Sequence, residues 1–357
     1  MKQLMVQATA LCALALPAHA DLTVMSWGGA YERSQVEAYN KPFTAATGTA
    51  VTMTSADNPA GPIKSMVDAG NVTVDVVDLE FTDAVRLCDE GVLEEIDAAT
   101  LPPAPDGTPA AEDFLPGALT DCAVASMIFA TVYGFDATKF PDRQPSTIAD
   151  LFDLEGFPGK RGLRKGPKIN LEIALMADGV PAAEVYKVLA TDEGLDRAFA
   201  KLDTIKNDVI WWEAGAQPPQ LLADGEVTMA YAFNGRIFNA AIGENKPFNI
   251  IWNGQIYEME GWVIPKGAPN KDNALKYIEF STRPEQLAKA AEHISYGPPR
   301  KSSASLVGNV AGKDVPMGPH LPTSPGNIEQ GIASNLDFWV DHDAELQERF
   351  NAWLAAS

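Results

Sequence analysis

The sequence predicts an α/β protein of two lobes, each a mostly parallel sheet flanked by helices, joined by a hinge. Three observations point there. Strand-like and helix-like stretches alternate over residues 22–91, the order that builds a parallel sheet covered on both faces. The chain of 357 residues is longer than one hydrophobic core usually supports. Near residue 255 the pattern returns to strands and helices that rejoin the first set, so the chain crosses between lobes at least twice, which makes a hinge and a cleft.

The first twenty residues, "MKQLMVQATALCALALPAHA", place Lys2 before an apolar middle and small residues at the end. That is the order of a secretory signal peptide, with cleavage expected before Asp21. Its apolar part is too short to span a membrane, and no later stretch approaches ~18 apolar residues. Loss of Lys2 takes the net charge from −21 to −22.

The mature chain then opens on the strand "LTVMSW". A helix follows from Tyr31 to Ala46 with Val36, Tyr39 and Phe43 on one face, and Gly48 ends it. "AVTMTSA" reads as a strand, "NPAGPIKSMVDAG" as a proline-opened helix, "VDVVDLE" as a buried strand and "FTDAVRLCDEG" as a helix. In such sheets ligands sit at the carboxyl ends of the strands. Trp27, Asp57 and Asp78 to Glu80 are therefore expected along one edge.

"LPPAPDGTPAAEDFLPG" interrupts the alternation, and "CAVASMIFATVYGFD" reads as a long apolar strand pair. "STIADLFD", "EIALMADGV", "AAEVYKVLA" and "GLDRAFAKLD" read as helices, and "EVTMAYAF" as a strand. The expected first lobe is 21–119 with 255–318; the second is 120–254 with 319–357 and its C-terminal helices. The basic run Lys160 to Lys168 reads as a solvated loop, with phosphate or a transporter as the less ordinary partner.

Cys12 leaves with the signal, so Cys88 and Cys122 are expected to form one disulfide in an exported chain, stabilising the fold by roughly 2–4 kcal/mol. No Cys/His spacing suggests zinc, and "DHD" at Asp341 to Asp343 reads as a solvated helix start. No metal or cofactor is expected. The acidic balance argues against nucleic acid and anionic membranes and is compatible with a cationic ligand. The chain is expected to be a monomer.

Four stretches together carry a resemblance: "SWGGAY", "WWEAGAQPPQLLADGEVTMAYAFNGR", "NGQIYEMEGWVIPKGAPN" and "ISYGPPRKSSASL". With them the chain resembles the periplasmic substrate-binding proteins of ATP-driven importers, specifically the spermidine/putrescine-binding group. The resemblance implies a periplasmic-binding-protein fold of the type II kind, two lobes that close on a small molecule. In polyamine members rings sandwich the methylene chain and carboxylates hold the ammonium ends. It also implies roles. Trp27 and Tyr31 match the first aromatic wall, and Glu80 falls where the third strand of the first lobe ends. Phe233 stands where polyamine binders place a tryptophan. Glu260 matches an amine-gripping aspartate, and Tyr296 a pocket tyrosine.

The residue types suit that chemistry. An ammonium over a tryptophan face gains roughly 0.5–2 kcal/mol, and its hydrogen bond to a carboxylate is about twice as strong as a neutral one. Two departures stand out. Arg236 follows the "NG" turn where a strict polyamine binder has a small or acidic residue; pointing inward, it would pair with a ligand carboxylate or phosphonate. Glu258 replaces a second tryptophan and shares a strand face with Glu260.

Each residue also has an ordinary reading. Trp27 can pack the hinge, Tyr31 the core, and Glu80 can cap the following helix. Adjacent Trp211 and Trp212 point oppositely on a strand, and Trp212 is expected to face the pocket. Gln217, in a Gly-Ala-Gln loop, can donate to a ligand. Trp252 and Trp262 read as lobe packing. Arg236 can pair with a neighbouring acid, and Glu258 can be solvated at the rim.

There is no GxGxxG or Walker pattern, no GxSxG and no HExxH, and His293, His320 and His342 stand in no catalytic context. Glu258 and Glu260 are too parallel to flank a scissile bond. A secreted hydrolase is the remote alternative, and no enzyme is expected. The sequence reading is thus a periplasmic protein that captures a small organic amine, most simply a polyamine such as putrescine or spermidine, and presents it to a membrane permease. The alternative ligand is a zwitterionic amine (an amino acid derivative, opine or aminophosphonate) read by Glu260 and Arg236.

Overall fold

The computed structural model describes residues 21–356; the expected signal peptide lies outside the described residues. Nine strands form one sheet: β1 (Leu22–Ser26), β2 (Val51–Ser55), β3 (Val76–Glu80), β4 (Val124–Asp136), β5 (Arg161–Arg164), β6 (Val209–Trp212), β7 (Met229–Phe233), β8 (Phe248–Val263) and β9 (Ile332–Ala333). Their order is β2-β1-β3-β8-β4-β7-β5-β6, with β9 beside β8. At each end lies a parallel triplet, β2-β1-β3 and β7-β5-β6. Between them run β8 and β4, antiparallel to each other and to the triplets they border.

The two long central strands pass through two separate cores. One gathers Val24, Val76, Leu79, Leu87, Trp262 and Tyr277; the other gathers Tyr133, Leu163, Leu171, Leu202, Ile256 and Trp339. β3 is buried at all five positions, as a strand covered on both faces is, whereas the edge strand β2 alternates and is largely exposed. β4 is buried at all thirteen positions.

That explains one difference from expectation. "CAVASMIFATVYGFD" is a single strand, not a pair, because no turn residues interrupt it and both faces are covered. Other departures are local. The first helical stretch begins at Gly29 and contains a π-turn at Val36–Asn40 before resuming at Lys41–Thr47. The expected helix over 146–153 is a 3₁₀ turn, Ile148–Leu151, capped by Asp150 on the N–H groups of Ser146 and Thr147. Asp341 to Asp343 lie inside the helix Leu336–Ala355, whose start is capped by Asn335.

The largest correction concerns the basic run. Arg161 to Arg164 is strand β5, and Arg161 is fully buried, donating to the carbonyls of Leu151, Asp153 and Phe157. Arg164 and Lys168 pair with acids on other elements. Backbone carbonyls take Arg161, and carboxylates take Arg164 and Lys168, so only Lys160 and Lys165 are exposed and the run is not a solvated loop.

Cys88, on the helix Phe81–Asp89, is joined by a disulfide to Cys122 just before β4. Among the described residues no helix is long and apolar enough to cross a membrane, and no cluster of His, Cys, Asp and Glu is arranged to hold a metal ion.

Candidate ligand-binding site

A cavity enclosing about 500 Å³ of space, partly open to solvent, lies where the two triplets meet. Its walls come from the carboxyl ends of five parallel strands: Trp27 follows β1, Asp57 follows β2, Arg164 ends β5, Glu213 follows β6 and Phe233 ends β7. The central strands add Met127, Phe129 and Glu260, and the segment after the helix Pro284–His293 adds Tyr296.

The rings form a connected wall. Tyr31 meets Tyr296 edge-on at 5.4 Å between centroids, Phe129 meets Phe233 at 5.4 Å, and Phe129 meets Tyr296 at 6.3 Å. Trp27 is half-buried, with its indole Nε1 buried and without a partner.

The Gly28-Gly29 turn has a structural cause. Both residues have positive φ, 69° and 64°, which glycine adopts freely. The turn leaves the carbonyls of Trp27 and Gly28 facing across the cleft, where Arg236 donates to them at 3.3 and 3.0 Å. Arg236 is buried, and its Nε has no acceptor. Its guanidinium therefore faces the cavity with donor capacity left over.

Glu260 is buried and its carboxylate accepts no hydrogen bond from the described residues. Burial, then the nearby charges of Asp78 and Glu80, push its carboxyl well above the usual range, and the Arg236 guanidinium opposes them. Asp78 sits beneath the ring wall, accepting from the Tyr31 hydroxyl at 2.5 Å and from Gln35 Nε2 at 2.6 Å. Burial raises it to about 7 against those hydrogen bonds.

Of the residues expected from sequence, Trp27, Tyr31, Phe233, Arg236, Glu260 and Tyr296 come together on this cavity. Four do not. Trp212 is 1% exposed and packs behind Phe233 at 5.5 Å, because β6 turns that face toward its own helices; Trp211 packs on Phe350 and Trp353. Gln217 accepts from the N–H groups of Glu213 and Ala214, so it shapes the loop that lines the cavity without facing it. Glu258 is buried against Lys168, not solvated at a rim. Glu80 occupies the cap position of the next helix without capping it; its carboxylate accepts from Arg164 at 3.0 Å and Lys168 at 3.2 Å.

Sequence reasoning missed Arg164, Met127 and Phe129. For Arg164 the signal was present: "KRGLR" precedes the helical "NLEIALMADG", so Arg164 is a strand end of the same kind as Trp27.

Residues 38–323 match the description bacterial extracellular solute-binding protein. A curated relative, the gamma-aminobutyric acid-binding protein of Pseudomonas aeruginosa, is 46% identical over 94% of this chain and 91% of its own length. The spermidine/putrescine-binding periplasmic protein of Escherichia coli is 26% identical over 58% of this chain and 59% of its own. Among solved structures, the binding protein MotA of A. tumefaciens B6 in complex with glucopine matches with TM-score 0.84 at 28% identity, covering 94% of this chain and 100% of its own. The binding protein AttC of Agrobacterium tumefaciens in an open unliganded conformation matches with TM-score 0.63 at 27% identity, covering 94% and 99%. The chain belongs to the bacterial extracellular solute-binding proteins, as a substrate-binding protein of the ABC transporter kind.

Proposed function

We propose that this chain works in the periplasm, capturing a small zwitterion with an ammonium at one end and a carboxylate at the other, of the γ-aminobutyric acid class, for an importer's permease. One observation carries the reading: Glu260 without a donor and Arg236 with an unused donor line the same cavity. An ammonium beside Glu260 and an acid beside Arg236 would complete both groups.

A diamine fits less well. It needs two free acids, yet besides Glu260 the acids on the lining are Glu213, paired with Lys165, and Asp57, exposed at the edge, while Glu80 and Glu258 are taken by Arg164 and Lys168. Its second ammonium would lie in a cavity that two guanidinium groups line. The sequence-stretch resemblance to polyamine binders therefore extends to the ring wall but not to the ligand's second end. The 46% identity to a protein named for γ-aminobutyric acid supports the zwitterion, as does the match to a relative holding glucopine.

Calorimetry of residues 21–357 with γ-aminobutyric acid, putrescine, spermidine and glucopine tests this. Micromolar binding of γ-aminobutyric acid, roughly −8 kcal/mol, lost in both Glu260→Gln and Arg236→Ala, is expected. Tight putrescine binding that survives Arg236→Ala would overturn it.

A further inference from the structure

Two buried acids, Glu80 and Glu258, and two partly buried cations, Arg164 and Lys168, form a neutral set beside the ligand cavity. Arg164 Nη1 donates to Glu80 Oε1 at 3.0 Å. Lys168 Nζ donates to Glu80 Oε2 at 3.2 Å and to Thr82 Oγ1 at 3.1 Å, and pairs with Glu258. Although burial pushes Glu80 up, Lys168 and Arg164 bring its carboxyl down to about 2. Glu80 and Thr82 stand at the end of β3 and the start of the next helix, in the first lobe. Arg164 and Lys168 belong to β5 and the loop after it, in the second. Glu258 lies on β8, which runs through both.

The loop carrying the two cations is built for the purpose. Ile169, next to Lys168, has φ 78° while almost fully buried, a left-handed conformation that a β-branched residue rarely adopts. Asn170 Nδ2 donates to the carbonyls of Arg164 at 2.6 Å and Gly166 at 2.7 Å, and the Lys165 N–H donates to the Trp212 carbonyl at 2.8 Å. Strain and three hydrogen bonds hold the loop in the one shape that aims Arg164 and Lys168 at the opposite lobe.

We propose that Glu80, Glu258, Arg164 and Lys168 are an inter-lobe latch that assembles when the cleft shuts, with Arg164 tying the latch to the bound ligand. Glu80 is then a positioning residue: it holds Arg164, which lines the cavity. The better superposition on the relative holding glucopine than on the open unliganded one agrees with a shut cleft here. A neutral, largely buried set roughly balances desolvation against attraction, so an empty cleft is shut only part of the time. Removing one member leaves an unpaired charge buried in the shut form alone. Only the ligand contact of Arg164 rests on the zwitterion reading.

The test uses Glu80→Gln, Lys168→Met and the double variant, with γ-aminobutyric acid as probe. Each single change is expected to weaken binding by about tenfold or more through faster dissociation, and the double variant, again neutral, to recover most of it. The melting temperature of the ligand-free protein should stay within about 2 °C of wild type, since the open form solvates these groups. An equal fall in ligand-free melting temperature would mean a permanent structural network, and unchanged affinity would mean no latch; either overturns the proposal. If wild type does not bind γ-aminobutyric acid, the zwitterion reading fails while the latch is still tested. Dyes on Ala69→Cys and Ala183→Cys, one per lobe, then report the shut fraction without ligand. It should be lower in Glu80→Gln, and equal fractions would overturn the latch.

Discussion

Arg236 lies against the backbone of Gly29. A Cβ on that glycine would stand 2.3 Å from Nη1, the nitrogen that donates to the Gly28 carbonyl at 3.0 Å. The contact joins the turn after β1 to the helix Asn234–Phe238, 208 residues later. It sets both the depth of the guanidinium in the cleft and the requirement for glycine at the turn.

Gly29→Ala should therefore displace Arg236. The positive φ adds about 1–2 kcal/mol of backbone strain, and the methyl group pushes the guanidinium off the turn. Affinity for γ-aminobutyric acid is expected to fall about tenfold or more, with a small loss of melting temperature. Calorimetry beside thermal unfolding checks both.

Glu260→Gln should move affinity and stability in opposite directions. The variant loses a charge-assisted hydrogen bond to the ligand ammonium, about 1.5–3 kcal/mol. It also removes a buried carboxyl crowded by Asp78 and Glu80. Ligand-free melting at neutral pH should rise while binding weakens by one to two decades, about tenfold per 1.4 kcal/mol.

The pH response follows from the same acids. Asp78 is raised to about 7, so its contribution to stability is full below the ordinary carboxyl range near 4 and is lost as pH climbs through about 7; Glu260 is raised well above that range, so its contribution falls in the same direction as pH rises. Glu80 is lowered to about 2 by its pairing with Lys168 and Arg164, so its contribution, made to the shut form, is full above about 4.5 and is lost on acidification toward 2. Ligand-free stability should therefore decline from about pH 4 to 7, less steeply in Glu260→Gln. An ammonium needs Glu260 ionised, so capture should release a proton. Binding heats in buffers of different ionisation enthalpy measure that release.

The parts legible in sequence were those set by short-range pattern. Apolar runs and their order marked the triplet β2-β1-β3, the strand-end rule found Trp27 and Asp57, and the family resemblance found Phe233. What escaped depends on pairings far apart in the chain. Nothing near Glu80 signals that Arg164 and Lys168, 84 and 88 residues later, will occupy its carboxylate. The same distance hid the fate of Glu258 beside Lys168, and made Glu258 and Glu260 look equivalent. Trp212 and Trp211 were separable only by knowing which helices cover each face of β6.

Glu172 offers a stability test away from the cleft. It is fully buried, accepting from Trp339 Nε1 at 2.8 Å and the Tyr186 hydroxyl at 3.0 Å, with Oε2 unpartnered. Burial lifts its carboxyl to about 7. Its contribution is thus full below about 4.5 and lost as pH rises through about 7. Glu172→Gln keeps an acceptor oxygen and should stabilise the protein by roughly 1–2 kcal/mol above neutrality, with no gain near pH 4. Urea unfolding at the two pH values measures it.

The pairing of β3 with β8 sets Val77 opposite Val263, 186 positions apart in the chain. A growing chain holds β1, β2 and β3 long before the strand that borders them exists. Loop closure of that length makes refolding slow. The half-made sheet meanwhile exposes an unpaired edge. Under the proposed periplasmic role, tardy completion would be an advantage: the topology itself keeps the chain threadable until its last third arrives.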